Sequence, residues 1–294
     1  MELKQAPLYK DHGYRSCISA SFSLLTGNLK YIISKTWIYA TAFSLLVSLL
    51  LVTMPSPMMM YTVLEQQPSR LINIVCLPMF IFVAQLFFHS SVTTLLTKRT
   101  LMWNIWRNFK TVISLVLLFS ILTAVLTAAV FGALKAWRPE ALTPVAVLAT
   151  GVAMFFLLLL LLIPLPYSMM KYIMEPSCKL RRMISKDYMT GLKHWGYIFA
   201  VVLTLAICLW LLCFVVSVPS VVLTWANNVS ESGVFLNGDE SGLPSNFVYM
   251  RFAVSLVTMF VSSYINIVMI FAAYYIYGSI TQREEMLKAQ KTKQ

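Results

Sequence analysis

Charge is scarce in this sequence. Asp, Glu, Lys and Arg make up 12% of its 294 residues while apolar types make up 59%, and no soluble fold hides that much apolar surface behind so few charges. Acids are scarcer still, 11 against 23 Lys and Arg, for a net charge of +12. In a soluble chain that imbalance would point to nucleic acid. In a chain this apolar it is read first as a membrane topology signal, and nucleic acid is set aside. Cysteine is sparse and scattered, at Cys17, Cys76, Cys178, Cys208 and Cys213, which provides neither a disulfide framework nor a paired metal site. The histidines are His12, His89 and His194, with no ligand spacing between them, so no metal and no cofactor is expected. The first 35 residues lack an early apolar run and are not expected to be a cleaved secretory signal.

What the sequence does have is long apolar runs. Stretches such as FSLLVSLLLVTM and VAVLATGVAMFFLLLLLLI are apolar all round, unlike the one-sided helices of a soluble core, and are long enough for about 30 Å of hydrocarbon. Six spans are expected, at 36–55, 72–96, 111–134, 143–170, 196–224 and 247–279. Pro78, Pro164 with Pro166, and Pro219 interrupt three of them and predict kinks, because each removes a backbone donor. The fold class that follows is all-α: a polytopic integral membrane protein with six transmembrane helices, and residues 1–294 as a single membrane domain.

Cations fall on alternate loops. Lys4, Lys10, Arg15, Lys30 and Lys35 precede the first span; Lys98, Arg99, Arg107 and Lys110 follow the second. Lys171, Lys179, Arg181, Arg182, Lys186 and Lys193 follow the fourth, and Arg283, Lys288, Lys291 and Lys293 lie in the tail, together 19 of the 23. Only Arg70, Lys135, Arg138 and Arg251 fall at the other ends, where acids such as Glu65, Glu140, Glu231, Asp239 and Glu240 also lie. Lys and Arg are retained on the cytoplasmic side, so both termini are expected there, in a cell membrane of the bacterial inner-membrane type. Because cations near an anionic leaflet attract its headgroups by about 1 kcal/mol each, Lys179, Arg181, Arg182 and Lys186 are candidate contacts for anionic lipid headgroups.

A basic residue followed two positions later by an aromatic opens three stretches: Lys35-Thr-Trp37, Arg107-Asn-Phe109 and Lys193-His-Trp195. Ahead of each lies a short mixed segment, 21–34, 101–106 and 184–192, suited to an interfacial helix with a bend at Gly27 or Gly191. The six spans therefore read as three tandem hairpins, approximately 21–100, 101–183 and 184–285, with a polar tail over 281–294. An even number of spans per unit lets the copies insert in the same orientation around a pseudo-threefold axis. Gln85, His89, Ser263 and Asn266 are candidate lining for a cavity on that axis, although polar groups in spans more often bond helix to helix.

No catalytic constellation emerges, neither a positioned nucleophile nor clustered carboxylates, and no ionisable residue lies near a span centre. The ending AAYYIYGSITQREE over 272–285, with the basic and aromatic span entries, resembles bacterial six-span proteins similar to the membrane domain of glycerophosphodiester phosphodiesterases. That resemblance implies a membrane domain without the catalytic barrel, so hydrolase activity does not carry over. The leading functional expectation is a non-catalytic membrane module that binds or senses lipids, or organises a protein partner. A transporter or channel with a central cavity is the alternative, and a lipid-modifying membrane enzyme the third reading.

Overall fold

In a bilayer every backbone N–H and C=O must be satisfied within the protein, which leaves helices and closed barrels as spanning structures. The computed structural model takes the helical solution. It describes residues 3, 6–54, 69–137, 144–238 and 242–292, is 89% helical and has no strand among the described residues. Of the residues used in the charge reading, Lys4, Glu65, Arg138, Glu140, Asp239, Glu240 and Lys293 lie outside the described ones, as do the side chains of Arg70 and Lys135.

The chain runs α1 (Tyr14–Thr53), α2 (Ser69–Thr97), α3 (Leu101–Trp137), α4 (Pro144–Leu162), α5 (Leu165–Met174), α6 (Leu180–Arg182), a π-helical turn over Met183–Asp187, α7 (Tyr188–Lys193), α8 (Trp195–Asn237) and α9 (Phe247–Thr292). Six segments within these, Tyr14–Thr53, Cys76–Thr97, Leu101–Val130, Thr150–Met174, Trp195–Val234 and Phe247–Thr292, are long and apolar enough to cross a membrane. The chain is thus an all-α, multi-pass membrane protein.

Three expectations about helix breaks resolve differently. Gly27 does not interrupt α1, which runs unbroken for 40 residues; a single glycine costs only about 1 kcal/mol in a helix interior. Pro78 and Pro219, where kinks are expected, sit inside continuous helices, which a proline kink allows. The fourth span does break, between Leu162 and Leu165, where Pro164 and Pro166 remove two donors in succession. Separate short helices precede only the third basic and aromatic entry; residues 21–34 and 101–106 run straight into the following helix.

Two compact units divide the described residues. The first draws on Met1–Ala6, Ser19–Leu101 and Leu203–Phe271; the second on Pro7–Ile18, Met102–Val202 and Ala272–Gln294. In the first, Phe88 lies between Phe43, stacked at 6.4 Å, and Tyr264, edge-on at 5.8 Å. The Tyr264 and Thr36 hydroxyls meet at 3.0 Å, and those of Ser220 and Ser255 at the same distance. Small hydroxyl residues at the contacts allow close approach, and their oxygens are satisfied by carbonyls of the preceding turn, as at Ser44 and Ser48. Arg251 is 4% exposed and donates to the Leu51 and Val52 carbonyls, satisfying the open C-terminal turn of α1.

In the second unit the N-terminal segment lies along α9. A Cβ at Gly278 would overlap the Leu8 carbonyl, so only glycine allows that approach. The Ser279 hydroxyl accepts from the His12 amide at 3.2 Å, and Arg283 pairs with Asp11 at 2.7 Å. Elsewhere in the unit, Tyr172, Cys178 and Met183 form a buried cluster with Leu115, Met169, Leu180 and Ile184 against it.

Candidate functional site: a charged cleft in the second unit

The site is built where the fourth span ends. Pro164 and Pro166 start α5 with their absent donors at positions that need none, and Tyr167, Lys171 and Glu175 then recur every four residues along one face. Glu175 leaves the helix in an extended conformation while its amide still bonds the Lys171 carbonyl at 2.9 Å. The chain turns through Cys178 and re-enters helical structure at α6, the π-helical turn and α7. Gly191 on α7 lies against the broken span: a Cβ there would come 2.7 Å from the Pro164 carbonyl oxygen. Beside it the Tyr188 hydroxyl donates to the Leu161 carbonyl at 2.9 Å, one of the last-turn carbonyls left open where the helix stops.

Asp187 organises the turn. It is 1% exposed and takes Lys171 Nζ at 2.9 Å, Arg182 Nε at 3.6 Å and the Cys178 thiol at 3.3 Å. A buried carboxylate is tolerable only when so surrounded. Its neighbourhood has a cost for Cys178: burial first, and then the hydrogen bond and negative charge of Asp187, push that thiol up from 9.0 to about 11. Burial also raises the Tyr188 hydroxyl.

Arg107, from α3, braces the same turn. Only 7% exposed, it sits with its guanidinium 3.9 Å from the Tyr172 ring centroid and 4.7 Å from that of Trp103, and donates to the Cys178 carbonyl at 2.6 Å. A planar cation that both stacks and donates is a role lysine does not fill.

Together these elements and α9 enclose a cleft of about 570 Å³ lined by Tyr167, Lys171, Glu175, Arg182, Lys186, Asp187, Met189, Thr190, Lys193, Thr281, Glu284, Glu285 and Lys288. Its polar groups are partly committed. Tyr277 donates to Glu175 at 3.1 Å, and His194 Nε2 meets Glu284 at 3.0 Å. Lys186, Lys193, Lys288 and Glu285 carry no ion pair among the described residues. Chemically the cleft can hold a charged ligand of several atoms at the ends of membrane-crossing helices. His, Cys, Asp and Glu side chains form no metal-binding group among the described residues.

Of the four basic residues expected at a headgroup, Arg182 and Lys186 line the cleft, while Lys179 and Arg181 are exposed beside it. Gln85, His89, Ser263 and Asn266 all belong to the first unit. Gln85 and Asn266 are exposed, His89 is half-buried, and Ser263 is buried with its hydroxyl on the Phe260 carbonyl at 2.7 Å. Asn266 donates to the Ser262 carbonyl and to Cys213 Sγ. Sequence reasoning missed Lys171, Asp187, Lys193, Glu284, Glu285 and Lys288 as a group. A signal was available: Lys186, Lys193 and the tail residues Thr281, Glu284, Glu285 and Lys288 follow the three, four and seven spacing of one helix face.

Comparison with protein families, curated proteins and solved structures finds no match to this chain.

Proposed function

We propose that this protein is a non-catalytic membrane module of the bacterial inner membrane that binds phospholipid headgroups in the charged cleft, with both termini in the cytoplasm. The observation that supports this reading is the cleft itself, which gathers Lys171, Arg182, Lys186, Lys193 and Lys288 beside the C-terminal end of the fourth candidate span at Met174. Phosphate oxygens are the acceptors that Lys and Arg serve best, and at the bilayer rim such contacts are less screened than in bulk water. Lys171 and Arg182 are occupied by Asp187, which leaves Lys186, Lys193 and Lys288; Lys288 shares α9 with Glu284 and Glu285, so Lys186 and Lys193 are the residues that would take the phosphate.

The test is native mass spectrometry of the full chain released from nanodiscs containing phospholipids. The parent protein should retain about one phospholipid through activation that strips the rest, and Lys186→Gln with Lys193→Gln should lower that retention about tenfold. Unchanged retention in that variant sinks the proposal.

A further inference from the structure

Resting on that headgroup reading, we infer that the cleft selects a phosphate ester bearing a primary amine, the chemistry of a phosphoethanolamine headgroup, over one that is only anionic. On the turn and α7, Lys186 and Lys193 have no ion pair among the described residues. On α9, Glu284 lends one oxygen to His194 and keeps the other, and Glu285 has no ion-pair partner among the described residues. Lys288 follows one turn later, so the charged α9 residues that line the cleft, Glu284, Glu285 and Lys288, have a negative excess, while Arg283 on the same helix is paired with Asp11.

Lys186 and Lys193 therefore border one cleft of about 570 Å³ together with Glu284 and Glu285 and pair with neither. A lone phosphate placed on Lys186 and Lys193 would leave two carboxylates beside its own negative charge in the same cleft, an unfavourable arrangement. A dipolar ligand satisfies both sets at once. Its phosphate takes the lysines and its ammonium the carboxylates, and a primary ammonium brings three N–H donors that a trimethylated one lacks.

Retention of phosphatidylethanolamine, phosphatidylglycerol and phosphatidylcholine is compared by native mass spectrometry of the full chain from nanodiscs holding all three. Phosphatidylethanolamine should exceed each of the others about tenfold. Glu284→Gln with Glu285→Gln should abolish that preference while phosphatidylglycerol is still held. Glu285→Gln alone breaks no ion pair among the described residues, and should lower the preference without moving the unfolding midpoint. Soluble O-phosphoethanolamine added as competitor separates the two sources: displacement of the lipid by it at micromolar levels makes the free molecule the ligand, and resistance makes it the lipid.

If phosphatidylglycerol is held as tightly as phosphatidylethanolamine and the glutamate variants change nothing, selectivity for an amine is overturned and the headgroup reading stands. If no lipid survives activation in any variant, the headgroup reading fails and takes this inference with it.

Discussion

Asp187 shows what a single side chain does here. At 1% exposure, its carboxylate joins Lys171, Arg182 and Cys178, and removing it strands a lysine that is itself only 14% exposed. Asp187→Ala should therefore destabilise the protein by about 3 kcal/mol, the low end for breaking a buried pair because Lys171 keeps some solvent. The readout is the thermal unfolding midpoint in detergent. Replacing the pair together, Lys171→Met with Asp187→Leu, should recover most of that loss. Cys178 gives an independent probe. Because the fold holds its proton, from 9.0 up to about 11, its contribution to stability is full below pH 9 and is lost as pH rises through about 11. Alkylation of Cys178 by iodoacetamide, followed by peptide mass spectrometry, should be slow at pH 8 and faster in Asp187→Asn, which removes a charge opposing the thiolate. At this scale the sequence is a poor guide. Asp187 ends the run KLRRMISKD, where one acid after four cations reads as a solvated surface; only its burial makes it the hub, and that depends on the chain folding back between Lys171 and Asp187.

Helices and their breaks were more legible. Two prolines two residues apart cannot both be accommodated in one straight helix, and the fourth span breaks there, whereas the lone Gly27 leaves α1 intact. The seat of the N-terminal segment on α9 was not legible, since Pro7–Gly13 has no periodicity and its fit depends on a missing side chain at Gly278. Gly278→Ala is expected to push the Leu8 backbone away, because the overlap is with a carbonyl and not with a flexible tip. Hydrogen exchange at residues 8–13 should then rise, together with loss of protection at His12, whose amide bonds Ser279. Unchanged exchange there would mean that the segment is held without the close approach.

For the molecule as a whole, six spans could be read from composition because a bilayer permits few alternatives, and the division into two units could not, since each collects segments far apart in the chain. The three basic and aromatic entries also differ in environment: Arg107 is buried between two rings while Lys35 and Lys193 are exposed. The proposed orientation rests on the cations alone and is testable. A green fluorescent protein fused after Gln294 should fluoresce in a bacterial host, and alkaline phosphatase inserted after Gly238 should be active; the reverse pattern would invert the assignment. One bond then acquires a meaning beyond its two partners. The Tyr188 hydroxyl closes the Leu161 carbonyl at the interrupted fourth span, and Tyr188 stands between Lys186 and Lys193, the residues that would take the ligand. Any movement that lifts this stretch outward uncovers a carbonyl that the broken helix itself leaves open. A displacement of Lys186 or Lys193 would thus be felt, through one phenol, at the last turn of the helix that ends at Leu162.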